Sequence, residues 1–250
     1  MMNIQFISVG VFKDILDALH ALLTEGTFVV NEKGISFKAT DPTMVTLVEL
    51  FYSKDNFSVY EVEGEVYLTL NIDLLRQSLK KAKTTDKVSF VVEKDNINRL
   101  NVIIEGKHIK KFVLPILESE IKEIPELNLE FKGKAEILSN LFADTVEDAA
   151  SISDVLTIKF TPDELVMEAE SELTSLSARF TKSVEGVVDI QAEGEVSAKY
   201  SVDYLKKIIK AKKIAPTVII SINQDAPAKF EFKDGEDVWM YYVLAPRVEE

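Results

Sequence analysis

The stretch "LLRQSLKKAKTTDK" (Leu74–Lys87) has a counterpart far downstream, "YLKKIIKAKKIAP" (Tyr204–Pro216). The first gathers Arg76, Lys80, Lys81 and Lys83; the second gathers Lys206, Lys207, Lys210, Lys212 and Lys213. The whole chain carries a formal charge of −13, so these are islands of positive charge in an acidic protein. Each island also has an apolar side. Ile72, Leu75, Leu79 and Ala82 recur at spacings of three and four, as do Val202, Leu205 and Ile209, the pattern of a helix packed on a sheet. Arg76, Lys80 and Lys83 then fall at i, i+4 and i+7 on another face, and Lys206, Lys210 and Lys213 repeat those offsets.

Working outward, the repeat extends over the chain. Ile72-Asp73-Leu74-Leu75 matches Val202-Asp203-Tyr204-Leu205, and "FVLP" ending at Pro115 answers "VLAP" ending at Pro246. "FKDILDALHALL" (Phe12–Leu23) has helical spacing. It is followed by strand-like "TFVVNEKGISFKATD", "MVTLVELFY" and "EVYLTL", the first basic helix, and then "KVSFVVE", "RLNVIIEG" and "IKKFVLP". The second half runs in the same order: a helix in "AEILSNLFADTVEDAA" (Ala135–Ala150), strands in "VLTIKFTPDELVMEAE", "LTSLSARFT" and "VVDIQAEGEVSAKYS", and the second basic helix. "TVIISI", "AKFEFK" and "WMYYVLAP" close it. Self-similarity on this scale predicts two like α+β domains, 1–115 and 132–250. The acidic, proline-containing stretch 116–131, "ILESEIKEIPELNLEF", reads as a connector. Its Ile121, Ile124, Leu127 and Leu129 are too apolar for a purely solvated linker, so it packs on a sheet or walls a groove.

Composition narrows the function. At 46% hydrophobic and 28% charged residues the chain is expected to be a soluble globular protein. No apolar run approaches the roughly 18 residues of a membrane span, and the N-terminus lacks the basic start of a signal peptide. The absence of cysteine removes disulfides and thiolate chemistry and fits a reducing compartment. Catalytic material is thin. His20 and His108 stand alone, neither GxGxxG nor GxxxxGK[ST] occurs, and the carboxylates of "ESEIKE" and "VEDAA" read as solvated faces. No metal or cofactor site is expected. An exposed lysine face is the ordinary reading of one such helix, but its duplication in an acidic chain favours a role. Lysines in a row neutralise phosphates without reading bases, and no aromatic residues interleave with them for stacking on single strands. The expected ligand is therefore duplex nucleic acid, held by its backbone.

On these residues the chain resembles the proliferating cell nuclear antigen family of DNA sliding clamps, most closely its archaeal members. The resemblance is carried by "FVVNEKGISFKATDPTMVTLVEL", "LLRQSLKKAKTTDKV", "KKFVLPI" with the following "EIPEL", and the C-terminal "APAKFEF" and "YYVLAPRVEE". It implies an α+β DNA-clamp fold, two similar domains each with two helices on antiparallel sheets, assembled as a trimeric ring of identical or paralogous chains around duplex DNA. It implies no catalysis and no cofactor, and a cytoplasmic protein. Its partners would be a clamp loader and, through short peptide motifs, DNA polymerase, flap endonuclease and DNA ligase; no membrane is involved.

Residue by residue, the resemblance implies that Lys13, Arg76, Lys80, Lys83, Lys206, Lys207, Lys210 and Lys213 face DNA. Client motifs bring an aliphatic and two aromatic side chains to a pocket formed by Met44, Val45, Leu47, Ile124, Pro125, Leu127, Pro227, Val243, Ala245 and Pro246. At the subunit boundary the strand His108–Leu114 adds to the neighbour's Leu173–Thr181, which carries Ser175, Ser177 and Arg179. Lys81, Lys83 and Lys110 would then meet the neighbour's Asp144 and Asp148, which are spaced to share a helix face. That helix, with Glu136, Asp144, Glu147 and Asp148, departs from the basic inner wall usual in the family. The alternative reading is a carboxylate- and metal-dependent enzyme acting on DNA.

Overall fold

The computed structural model describes residues 1–118 and 124–247; Ile121 and Glu123 of the connector and the closing Val248–Glu250 lie outside them. The chain divides into two compact units that are not contiguous in sequence. The first comprises Met1–Ala39, Glu49–Ile124 and Gly235–Trp239; the second comprises Thr40–Val48, Pro125–Asp234 and the residues from Met240 on.

In the first unit, α1 (Gly10–His20) and α2 (Ile72–Leu79) pack on strands. One sheet runs β5 (Phe57–Val62), β1 (Met2–Phe6), β7 (Lys87–Glu93), β8 (Asn96–Glu105), β9 (Ile109–Pro115). A second sequence of neighbours is β6 (Val66–Asn71), β2 (Glu25–Asn31), β3 (Gly34–Thr40), then β4 (Thr46–Ser53). The second unit repeats both orders. There β14 (Val187–Ala192), β10 (Gly133–Leu138), β16 (Thr217–Ile222), β17 (Ala228–Asp234) and β18 (Val238–Leu244) follow the first pattern. The second pattern recurs in β15 (Val196–Ser201), β11 (Val155–Phe160), β12 (Glu164–Glu170) and β13 (Ser175–Thr181). The helices α3 (Ser139–Ala150) and α4 (Val202–Ile208) take the places of α1 and α2. The registered pairs are all antiparallel. The repeat seen in the sequence is thus a repeat of topology.

Local patterns explain the elements. In α1 the buried Phe12, Ile15, Leu16 and Leu19 lie on one stripe, while Asp14 and Asp17 fall between them. The core of the first unit is aromatic: Phe6 lies 5.0 Å from Phe12 and from Phe90 and 4.7 Å from Phe57 between ring centroids. Tilted and edge-on pairs of this kind contribute about 0.5–1.5 kcal/mol each beyond area burial. In the second unit Phe142 of α3 stacks on Phe230 at 5.3 Å. Gly133 opens β10 because a Cβ there would come within 2.7 Å of the Phe160 ring.

Four expectations need correction. Ala135–Leu138 is the end of β10, not the start of a helix. Its residues alternate, with Ala135 and Ile137 buried and Lys134 and Glu136 turned outward, and both edges are paired. The basic helices are shorter than their lysine spacing suggests: α2 stops at Leu79 and α4 at Ile208, where a 3-10 turn (Ile209–Lys213) takes over. Pro216 disfavours helical backbone at Ala215 and so limits the second. Met44 and Val45 belong to a turn before β4, with Met44 at φ 59°. The strands β1 and β5 were not anticipated; β1 is a short alternating "MNIQF" at the chain start.

Candidate nucleic-acid interface and docking surface

The end of α2 is built from two sides. Asn71 caps its start by accepting from the Leu74 amide at 2.9 Å. The Lys13 ammonium donates to the Ala82 carbonyl at 2.8 Å and to the Lys80 carbonyl at 3.3 Å, answering C-terminal carbonyls that the helix leaves open. Lys13 therefore helps to hold this turn with two of its three N–H donors. Arg76 is also engaged, 3.1 Å from Asp73 and 3.3 Å from Asp17. Lys80, Lys81 and Lys83 are exposed and make no ion pair among the described residues. Because α2 has ended, Lys83 follows in the turn whose amide donates to Asp86 at 2.9 Å, so Arg76, Lys80 and Lys83 do not form one helical row.

In the second unit Lys206, Lys210 and Lys213 are exposed and likewise free of ion pairs among the described residues. Lys207 lies over the Tyr204 ring at 4.8 Å, a cation–π contact. Lys212 pairs with Glu147 of α3 at 3.6 Å. Glu136 sits on β10 and accepts from the Thr217 hydroxyl at 2.8 Å. Asp144 and Asp148 are exposed on α3 and unpaired among the described residues.

Six strands end the three sheets, β5, β9, β14, β6, β13 and β15, and among them are the two expected at the subunit boundary, β9 and β13. On β9, Ile109 is 72% and Val113 50% exposed, and Phe112 lies beside a cavity of about 380 Å³ that Lys80, Lys81 and Lys110 also line. Expected boundary residues Lys81 and Lys110 are thus brought together. On β13, Ser175, Ser177 and Arg179 share one exposed face, with Arg179 3.0 Å from Glu164.

The turn before β4 is the best-organised polar feature. Asp41, only 5% exposed, accepts at one oxygen from the Val45 and Thr46 amides at 2.8 and 2.7 Å. At the other it accepts from the Thr43 amide at 3.1 Å, the Thr43 hydroxyl and the Tyr204 hydroxyl at 2.9 Å. Burial pushes the Asp41 carboxyl up, but these donors outweigh it and hold it below its ordinary 3.8. Val45 then joins the C-terminal segment, its carbonyl accepting from the Ala245 amide at 3.0 Å. Among the expected pocket residues Met44 is 79% and Leu127 51% exposed, while Leu47 and Val243 are buried. Pro227, Ala245 and Pro246 are half-buried; so are Val45 and Ile124, and Pro125 is exposed. The structure brings Val45 and Ala245 together directly. Sequence reasoning missed Tyr204 and Thr43. The repeat did offer a signal, because Tyr204 stands where the first half has Leu74, an exposed leucine.

A duplicated antiparallel topology with a helix pair per half, and unpaired lysines on the second helix region of each, defines the DNA-clamp fold class. The chain matches the family models described as the N-terminal domain of proliferating cell nuclear antigen over residues 1–123 and its C-terminal domain over residues 123–247. It belongs to the proliferating cell nuclear antigen family. It is 32% identical over 239 residues to a protein of Thermococcus onnurineus named DNA polymerase sliding clamp, covering 96% of this chain and 95% of that one. It is 31% identical over 248 residues to a Nanoarchaeum equitans protein of the same name, covering 98% and 99%. A crystal structure of the antigen from Thermococcus kodakaraensis superposes with a TM-score of 0.92 at 27% identity, covering 99% of this chain and all of that one. Among the described residues there is no cluster of three or more metal-ligating side chains, and no helix is long and apolar enough to cross a membrane.

Proposed function

We infer that this chain is a DNA sliding clamp, a non-catalytic processivity factor that encircles duplex DNA and tethers polymerase to it. The observation that carries the reading is the pair of unpaired lysine groups, Lys80 with Lys83 and Lys206 with Lys210 and Lys213, on equivalent elements of a protein of net charge −13. Charge of this kind gives sequence-independent, salt-sensitive affinity for phosphates. Lys13, Arg76 and Lys207, each already partnered, add to it less.

The ring reading draws support from the repeat itself. Within the chain, the segments around β18 and β4 are joined by main-chain bonds, Ala245 to Val45 at 3.0 Å and Ser53 to Asp237 at 2.7 Å. Their equivalents in the duplicated topology are β9 and β13, and each lies at the end of its sheet with one edge open. Open edges of this kind pair with other chains unless blocked. β9 of one copy therefore completes β13 of the next, head to tail, and rotation of such contacts closes a ring of three. Lys81 and Lys110 then approach the neighbour's Asp144 and Asp148. Ser175, Ser177 and Arg179 line the neighbour's side of the seam. The resemblance assigns client peptides, including those of clamp loader, polymerase, flap endonuclease and ligase, to the surface that carries the Met44 turn, Leu127 and the C-terminal segment. In primer extension on a long template with polymerase and clamp loader, adding the chain should lengthen the products made in one binding event. Unchanged product length would count against the reading.

A further inference from the structure

The Met44 turn holds an exposed apolar side chain in a conformation that L-residues avoid. Met44 has φ 59° and is 79% exposed, a backbone conformation that is costly for a non-glycine residue. Such a backbone persists only where its surroundings over-determine it, and it concentrates at ligand-holding sites. Here the surroundings are Asp41, whose carbonyl accepts from the Met44 amide at 2.9 Å and whose buried carboxylate gathers the amides of Thr43, Val45 and Thr46. All of those donors belong to the turn, and one further donor does not. The Tyr204 hydroxyl reaches Asp41 at 2.9 Å and the Thr43 hydroxyl at 2.5 Å from the first turn of α4, more than 160 positions away in sequence.

We propose that Tyr204 is a positioning residue for peptide docking: its hydroxyl locks the Asp41 turn so that Met44 and Val45 stand preformed against an incoming apolar peptide. The inference rests on reading this surface as the client groove. Preformed geometry raises affinity because the ordering entropy of the loop is already spent before the peptide arrives. Without the hydroxyl, Asp41 keeps its bonds within the turn and Val45 keeps its main-chain bond to Ala245, but the Asp41–Thr43 side of the turn loses its hydroxyl anchor to α4. The fold stays intact, since the Tyr204 ring remains to pack with Lys207. Tyr204 touches no peptide itself; it acts through Thr43 and Asp41.

The test uses the full chain, Tyr204→Phe, with methionine methyl groups carbon-13 labelled. A fluorescent synthetic peptide bearing one aliphatic and two aromatic side chains serves as ligand. The expected result is binding about three- to tenfold weaker, the range for one hydrogen bond to a charged group partly exposed to water, with the loss in the off-rate. The Met44 methyl signal of the peptide-free protein should shift or broaden, while oligomeric mass and the salt dependence of DNA binding stay as in the parent. Thermal stability alone would move for any structural role; the Met44 signal and the off-rate would not. Equal peptide affinity in Tyr204→Phe and parent overturns the proposal. If the parent itself fails to bind the peptide, the client reading fails separately, and the Met44 signal decides the positioning: an unchanged signal overturns it, a changed one sustains it. Asp41→Asn, which keeps shape and loses charge, should shift the same signal in the same direction.

Discussion

Asp41 is nearly buried, and both of its carboxylate oxygens are fully occupied by donors from its own turn and from Tyr204. A buried charge is tolerable only under those terms. Removing the carboxylate leaves the Val45 and Thr46 amides without partners, so Asp41→Ala should destabilise the chain by about 2–3 kcal/mol in denaturant titration. The pH dependence follows from the sign of the shift. A carboxyl held below its ordinary 3.8 contributes stability that is complete above that value and is lost as pH falls through the lowered one. Asp41→Asn should accordingly flatten the acid limb of the stability profile below about pH 4, and leave its slope near neutrality unchanged. An acid limb as steep as the parent's would assign that titration to other carboxylates. The sequence made Asp41 legible as turn chemistry, through Asp41-Pro42 and a following threonine. It could not reveal that Tyr204 completes the set, because that bond joins distant segments.

The elements carry charge and edges. The apolar stripes of α1 and α2 were readable from spacing, and so were most strands, because alternation survives wherever one face is buried. Two failures have one cause. Ala135–Leu138 carries helix-compatible residues, and the lysine rows continue a helical spacing beyond Leu79 and Ile208; in each case pairing or chain termination overrode local propensity. The contact of Lys13 with the turn after α2 was illegible for a related reason, since it depends on where α2 ends. The charge itself remains testable. Replacing Lys80, Lys83, Lys210 and Lys213 with alanine should weaken duplex binding equally on any DNA sequence and reduce the salt slope. An unchanged slope would remove these residues from the DNA face. At the seam, the parent should be trimeric by light scattering, Asp144→Lys with Asp148→Lys should give monomers or dimers, and adding Lys81→Glu and Lys110→Glu should restore the larger species in part. Single surface pairs contribute about 0–1 kcal/mol, so the effect depends on the cluster being partly buried between copies. A double variant that stays trimeric on dilution in low and high salt would leave the acids of α3 without a role at the seam.

At the scale of the molecule, duplication is what the sequence disclosed best. The match of Ile72–Leu75 to Val202–Leu205 anticipated two like domains, and the structure extends the repeat to the order of strands within the sheets. The division into units was less legible, since Thr40–Val48 clusters with the second unit and Gly235–Trp239 with the first, an exchange that no local pattern records. A clamp differs from any DNA-binding protein that relies on affinity in one respect: its hold is topological, so a weak, salt-sensitive contact suffices as long as the DNA has no end. The decisive measurement follows from that. The chain is loaded by its clamp loader onto a nicked circular plasmid, passed through gel filtration at a salt concentration that abolishes free binding, and compared before and after one restriction cut. The account predicts that the chain co-elutes with the circle and is released on linearisation. Retention on the linear product, or the same weak binding to both forms, would contradict it.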